Sequence, residues 1–89
     1  MERPISVGSV VYSRAGRDEG RFYVVYEIID DGNVTIIDGD VRKVAKPKKK
    51  KLKHLKNTGE VLEPIAEKIR GGEKLYDRTV FEALKKYNS

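Results

Sequence analysis

Residues 7–25 read VGSVVYSRAGRDEGRFYVV. Val, Tyr and Phe dominate the two ends of this stretch, and these residue types suit the pleated, half-buried surface of a β-sheet. The middle is charged and contains Gly16 and Gly20, which take positive φ angles at little cost and let the chain reverse. The pattern predicts a strand, a tight loop and a second strand. That loop carries three arginines: Arg14, Arg17 and Arg21.

Turn residues divide the next part of the chain into further short strands. Asp30-Asp31-Gly32-Asn33 is typical of a hairpin turn with positive φ at its centre, and Asp38-Gly39-Asp40 predicts another reversal. The predicted turn glycines are therefore Gly16, Gly20, Gly32 and Gly39. The predicted strands, with a basic loop before the last, are residues 7–13, 22–30, 34–37, 41–46 and 52–55. Five short strands joined by tight turns are typical of a small SH3-like barrel.

The apolar pattern changes to a helical period after residue 58. Leu62, Ile65 and Ile69 recur at helical spacing, with Pro64 in a first turn, and a second helix is predicted at about residues 79–87. Because helices this short are unstable alone, we expect them to pack on the barrel. The predicted class is mainly β: a five-stranded SH3-like barrel at residues 1–57 with two α-helices of a tail at 58–89 packed on it, in a single domain.

Several side chains are expected to hold the tail against the barrel. Phe81 is one of the apolar residues predicted to be buried there, and Tyr76 and Tyr87 are predicted to anchor the helices. Tyrosines on strands pack against neighbours by default. Tyr23 is the one best placed to stack on a base instead, because it has the opposite strand parity to Phe22.

The strand–loop–strand of residues 7–29 resembles a KOW motif. Further segments resemble, at matching spacings, one branch of KOW proteins: VTIIDG at 34–39, RKV at 42–44, PKKKK at 47–51 and KHL at 53–55. That branch comprises large-subunit ribosomal proteins of the archaeal and eukaryotic type and their small bacterial RNA-binding relatives. The resemblance covers about residues 7–55. It implies an SH3-like barrel whose loops and basic segments contact ribosomal RNA.

The net charge of +5 is concentrated in one part of the chain. Residues 1–40 hold four basic and eight acidic side chains, residues 41–56 hold nine basic and none acidic, and residues 57–89 hold six of each. Such a stretch is the footprint expected for a polyanionic partner. The predicted RNA-binding side chains are Arg14, Arg17, Arg21, Arg42, Lys43, Lys46, Lys48, Lys49, Lys50, Lys51, Lys53, His54 and Lys56.

The sequence favours a protein that is not an enzyme. It has no cysteine and a single histidine, His54, which lies beside lysines rather than among carboxylates. No metal site, cofactor site or catalytic residue is therefore predicted. No apolar stretch approaches the roughly 20 residues of a membrane span, so we expect a cytoplasmic protein that is monomeric when free and binds RNA and ribosomal proteins.

Two other classes of function remain open from the sequence. SH3-like barrels also dock peptides, and KOW domains occur in transcription elongation factors, so a protein-interaction module or a transcription-associated domain is the alternative. A polybasic membrane-surface binder is the third, although no amphipathic helix or lipidation motif accompanies the basic run. Counting three strands between them places the arginine loop and the lysine run at opposite ends of the barrel. RNA would then contact two separate anchors.

Overall fold

The computed structural model describes residues 4–89 and consists of a five-stranded antiparallel sheet followed by two C-terminal helices. In chain order the elements are β1 (Ser9–Ser13), β2 (Phe22–Asp30), β3 (Asn33–Ile37), β4 (Lys48–Lys51), a 3₁₀ turn (Leu52–His54), β5 (Leu55–Val61), α1 (Glu63–Arg70) and α2 (Asp77–Asn88). The fold is thus mixed α and β. Residues 1–3, the start of the predicted barrel unit, lie outside the described residues, and its predicted end at residue 57 falls inside β5.

No strand forms at residues 41–46, so that prediction is wrong. A carboxylate takes up backbone N–H groups that such a strand would have paired. Asp38 Oδ1 accepts hydrogen bonds from the N–H groups of Asp40, at 2.9 Å, and Arg42, at 2.8 Å. A side chain that bonds to nearby backbone in this way competes with a strand ladder. Residues 38–47 therefore form one long connection between β3 and β4.

The lysine run forms the strand instead. β4 pairs with β3 over its whole length, with Lys48 opposite Ile36 and Lys51 opposite Asn33. The basic loop predicted before the fifth strand is therefore wrong, and the last strand begins at Leu55 and continues to Val61. An edge strand made of lysines is a common way to prevent pairing with another chain.

The sheet has the strand order β4-β3-β2-β1-β5, so β4 and β5 are its edges. Among residues 4–89 no ladder joins these two edges, so closure into a barrel is not observed there. The Lys50 side chain of β4 nevertheless reaches the Ala15 carbonyl in the β1–β2 loop. Strands β3 and β2 lie between β4 and β1, so the sheet must curve to allow this contact. Lys50 lies opposite Val34 and shares its face, so that face is the concave one.

Apolar side chains cover both faces of the sheet because successive strand residues point to opposite sides. The inner cluster, on the concave face, contains Val11, Tyr23, Val25, Val34, Ile36 and Leu55. The helix-facing cluster joins Val10, Val24 and Ile37 of the sheet to Ile65, Leu75, Val80 and Leu84. The prediction that the helical tail packs on the sheet is therefore confirmed.

The helices begin and end close to their predicted positions, but two aromatic side chains do not pack as expected. Tyr87 does anchor α2, with its ring centroid 5.6 Å from that of Phe22. Tyr76 is 60% exposed, so it does not anchor the helices as predicted. Phe81 is 39% exposed, so its predicted burial is wrong. Val80 and Leu84 form the buried stripe of α2, and Phe81 lies beside that stripe. Neither helix is long and apolar enough to span a bilayer, and residues 4–89 contain no other candidate.

Three of the four predicted turn glycines, Gly16, Gly20 and Gly39, have positive φ angles. Gly32 does not, so the positive φ expected at this turn is wrong. The Asp30 side chain closes that turn by accepting hydrogen bonds from the Gly32 N–H and the Asn33 amide, both at 2.9 Å.

Gly39→Ala should destabilise the protein by about 2–4 kcal/mol. Gly39 has φ +78°, and a Cβ there would overlap the Asp77 carbonyl oxygen, so α2 would have to move. Gly20 has φ +92° with nothing within 4 Å of a Cβ, so Gly20→Ala adds backbone strain alone, about 1–2 kcal/mol. Urea unfolding measures both losses. Equal losses would contradict the close approach of the β3–β4 connection to α2.

Candidate nucleic-acid interface

Two loops meet at one end of the sheet, here called the loop end. They are the β1–β2 loop, residues 14–21, and the β3–β4 loop, residues 38–47. Only β2 and β3 separate them, so in an antiparallel sheet both loops emerge at the same end. The expectation of two anchors at opposite ends is therefore wrong, because it counted residues 41–46 as a strand.

Asp18 is the buried centre of the loop end, with 4% of its surface exposed. Its Oδ1 accepts a hydrogen bond from Arg42 Nε at 2.9 Å. Its Oδ2 lies 3.3 Å from the Nζ of Lys50, which also donates to the Ala15 carbonyl at 2.8 Å. One carboxylate therefore ties the β1–β2 loop both to the β3–β4 loop and to strand β4.

Arg21 provides a second connection between the two loops. One guanidinium nitrogen lies 3.3 Å from Asp38 Oδ2 and 3.8 Å from Asp40 Oδ2. Asp38 is buried, and its other oxygen already binds the backbone of the β3–β4 loop. The acidic residues of the turns thus hold the two basic loops in fixed positions.

The surroundings of Asp18 favour its ionised form. Burial alone raises the pKa of this carboxyl, but the hydrogen bonds and charges of Arg42 and Lys50 outweigh burial and hold the pKa below its ordinary value. Burial, followed by the charges of Asp18 and Asp38, raises the pKa of Tyr23 to about 12. Tyr23 is buried in the inner cluster, so it packs in the core and presents no ring for base stacking.

Three predicted RNA-binding side chains, Arg21, Arg42 and Lys50, are thus engaged in ion pairs within the fold. Lys50 is 8% exposed, because strand pairing turns it toward the concave face. Other basic side chains at the loop end are exposed and have no carboxylate within 4 Å among residues 4–89. We call them the loop-end cations: Arg14, Arg17, Lys43, Lys46, Lys48 and Lys53.

Five of the six loop-end cations fall into two local groups. The Arg14 guanidinium donates to the Lys53 carbonyl at 3.3 Å, which places the arginine loop beside the 3₁₀ turn. Three others, Lys43, Lys46 and Lys48, line a cleft of about 440 Å³ in the β3–β4 loop. The cleft is thus lined by three exposed lysines and by Arg42.

The remaining predicted site residues lie away from this cleft. Lys49 and Lys51 alternate with Lys50 along β4, so they point to its opposite face. Lys56 is exposed on the edge strand β5. His54 is half-buried in the 3₁₀ turn, and its carbonyl oxygen accepts a hydrogen bond from the Arg14 N–H at 3.0 Å.

Sequence reasoning missed the parts played by Asp18 and Asp38, because turn formation was enough to explain an acid between glycines. The available signal was an acidic residue inside an otherwise basic loop, but sequence spacing does not show which distant cation it pairs with. In the described part of the chain, no three His, Cys, Asp or Glu side chains come together as a metal site would require.

A comparison with models of known protein families found no model that matches this chain.

Proposed function

We propose that this protein binds RNA without catalysing a reaction and that the loop end is its contact surface. One observation carries the proposal. The ion pairs of Asp18 and Asp38 fix two loops side by side, while six further cations around them remain exposed and without acidic partners among residues 4–89. A surface of that kind suits a ligand with closely spaced phosphates.

The two kinds of cation contribute differently. Lysines in the β3–β4 cleft neutralise phosphates as point charges and release counterions, which supplies affinity without sequence information. Arg14 and Arg17 have planar guanidinium groups that bind phosphate through two hydrogen bonds or stack on bases. We expect the lysines to set the salt dependence and the arginines to set the preference for a folded RNA.

The RNA we propose is ribosomal, and the protein is then a ribosomal or ribosome-associated component of the cytoplasm. The support is the resemblance of residues 7–55 to large-subunit ribosomal KOW proteins, with the SH3-like barrel that it implies. The curved sheet and the basic loops at one end are compatible with that architecture.

Salt titration of RNA binding tests the proposal. If five or six loop-end cations meet phosphates, the logarithm of the affinity for a structured ribosomal RNA fragment should fall with log salt at a slope of about −4 to −5. Fluorescence anisotropy of a labelled fragment at several salt concentrations gives the slope. A slope near zero, or no binding at low salt, would contradict the proposal.

One observation favours a protein-interaction function as the second candidate. Ile28 is 49% exposed and lines a cleft with Ile5, Leu52 and Leu55, and none of the loop-end cations lines this cleft. Purification from cells separates the candidates, because the chain has no tryptophan and carried-over RNA would dominate the ratio of absorbance at 260 and 280 nm.

A further inference from the structure

An aromatic side chain beside the loop end is half-exposed and is not part of the apolar core. Phe81 belongs to neither apolar cluster and is 39% exposed. It lines a cleft of about 350 Å³ together with Arg21, Asp40, Lys85, Asn88 and Ser89. This volume lies in the range of small-molecule sites, roughly 300–1,000 Å³.

The walls of this cleft are fixed by contacts on both sides. The Asn88 amide accepts a hydrogen bond from the Phe22 N–H at 2.8 Å and donates one to the Phe22 carbonyl at 3.1 Å, which holds the end of α2 against β2. On the other side, Gly39 lies directly against the backbone of Phe81. The cleft is therefore already formed without a ligand.

The chemistry of the cleft matches one nucleotide. Phe81 offers a flat apolar ring, and Lys85, one helical turn further along α2, offers a cation on the same side. Arg21, paired with Asp38 and Asp40, closes one wall, and Asp40 offers an exposed hydrogen-bond acceptor at the rim. A nucleobase has a π-face that stacks on a ring, an edge with amino or imino donors, and a phosphate beside it.

The position of the cleft links it to the loop-end cations. Asp40 and Val41 are consecutive residues of the β3–β4 loop, and each lines a cleft on that loop, with Phe81 in one and the lysines in the other. The two clefts are therefore adjacent along the β3–β4 loop, within reach of a single RNA strand.

We propose that the Phe81 cleft is a stacking site for one unpaired base of the bound RNA. The inference rests on the proposed RNA-binding function and adds to it that the ligand contains a single-stranded nucleotide beside the phosphates that the lysines hold. Stacking of this kind tolerates any base, so it adds affinity without strict sequence preference.

A tryptophan placed in the cleft reports stacking directly, because the natural chain contains none. In Phe81→Trp, an oligoadenylate of about 12 nucleotides should quench the indole fluorescence, whereas an abasic oligomer of equal length and charge should not. Tyr76→Trp is the matched control, since Tyr76 precedes α2, is exposed and does not line this cleft. Its fluorescence should respond alike to both oligomers.

The affinity of a truncated variant provides the second measurement. Phe81→Ala should weaken oligoadenylate binding by about 5- to 100-fold, with an unchanged salt slope and unchanged binding of the abasic oligomer. Oligoadenylate binding equal to that of the parent, with no quenching at position 81, would overturn the stacking site alone. If the parent binds the structured ribosomal RNA fragment but neither oligomer at low salt, the stacking site again fails alone. If the parent binds none of the three, the proposed RNA-binding function fails and the stacking site fails with it.

Discussion

A chain that ends at Leu62 should not fold. α1 and α2 supply Ile65, Val80 and Leu84 to the helix-facing cluster, and burying each contributes roughly 1.5–3 kcal/mol. Their combined loss is comparable to the roughly 5–15 kcal/mol that stabilises a whole domain. It also leaves one face of the sheet in water. Circular dichroism of the truncated chain should show no cooperative melting, and size-exclusion chromatography should show aggregates.

Two point variants serve as internal controls for the truncation. Leu84→Ala removes a side chain that is buried against the sheet and should cost about 2–5 kcal/mol. Glu82→Ala changes an exposed position of the same helix and should alter stability by about 0.5 kcal/mol or less. A truncated chain that melts cooperatively as a monomer would show that the helices are separate from the folding unit.

Asp18→Asn should destabilise the protein by about 3–5 kcal/mol, because it removes the charge that compensates Lys50 and Arg42. Glu19→Gln removes the same charge from an exposed neighbour and should have little effect. Adding Lys50→Met to Asp18→Asn should recover part of the loss, since no buried ammonium is then left unpaired. Equal stability of the Asp18 and Glu19 variants would contradict the role of Asp18.

The effect of Asp18→Asn should depend on pH in a defined direction. The pKa of Asp18 is lower in the folded protein than its ordinary value near 3.8, so its stabilising contribution is present above that value and is lost as the pH falls through the folded pKa. The difference in unfolding free energy between parent and variant should stay constant above about pH 5 and shrink below about pH 4. A constant difference down to the lowest pH at which the protein folds would contradict this.

The sequence predicted the first three strands, the turn glycines of the β1–β2 loop and the two packed helices with little error. Each has a local signal: β-branched and aromatic residues in strands, glycines at positive φ, and apolar residues at helical spacing. The fourth strand was misplaced because its signal is not local. Four consecutive lysines have low strand propensity, and only pairing with β3 makes them a strand.

That single error also misplaced the candidate site. Residues 41–46 contain Val41 and Val44, which look strand-like. The nearby Asp38 carboxylate binds the Arg42 N–H, however, and the Asp77 carboxylate of α2 binds the Val44 N–H. Counting them as a strand sent the two basic loops to opposite ends. The division of cations into structural and exposed ones likewise follows from tertiary ion pairs that sequence spacing does not reveal. Lys48 and Lys50 share one face of β4, but it is Lys50 that pairs with Asp18.

The central claim is that RNA binds at the loop end and is not merely attracted by the net positive charge of the whole protein. Two triple variants test it, because each lowers the formal net charge from +5 to +2. One changes Lys43, Lys46 and Lys48 of the β3–β4 cleft to Gln. The other changes Lys49, Lys51 and Lys68 to Gln, and none of these three lines that cleft.

The measurement is the slope of log affinity for the ribosomal RNA fragment against log salt. In the cleft variant the slope should be less negative than in the parent by about 2–3, and most of the affinity at low salt should be lost. The second variant should keep a slope close to that of the parent. Equal losses in the two variants, or an unchanged slope in the cleft variant, would contradict a contact surface at the loop end.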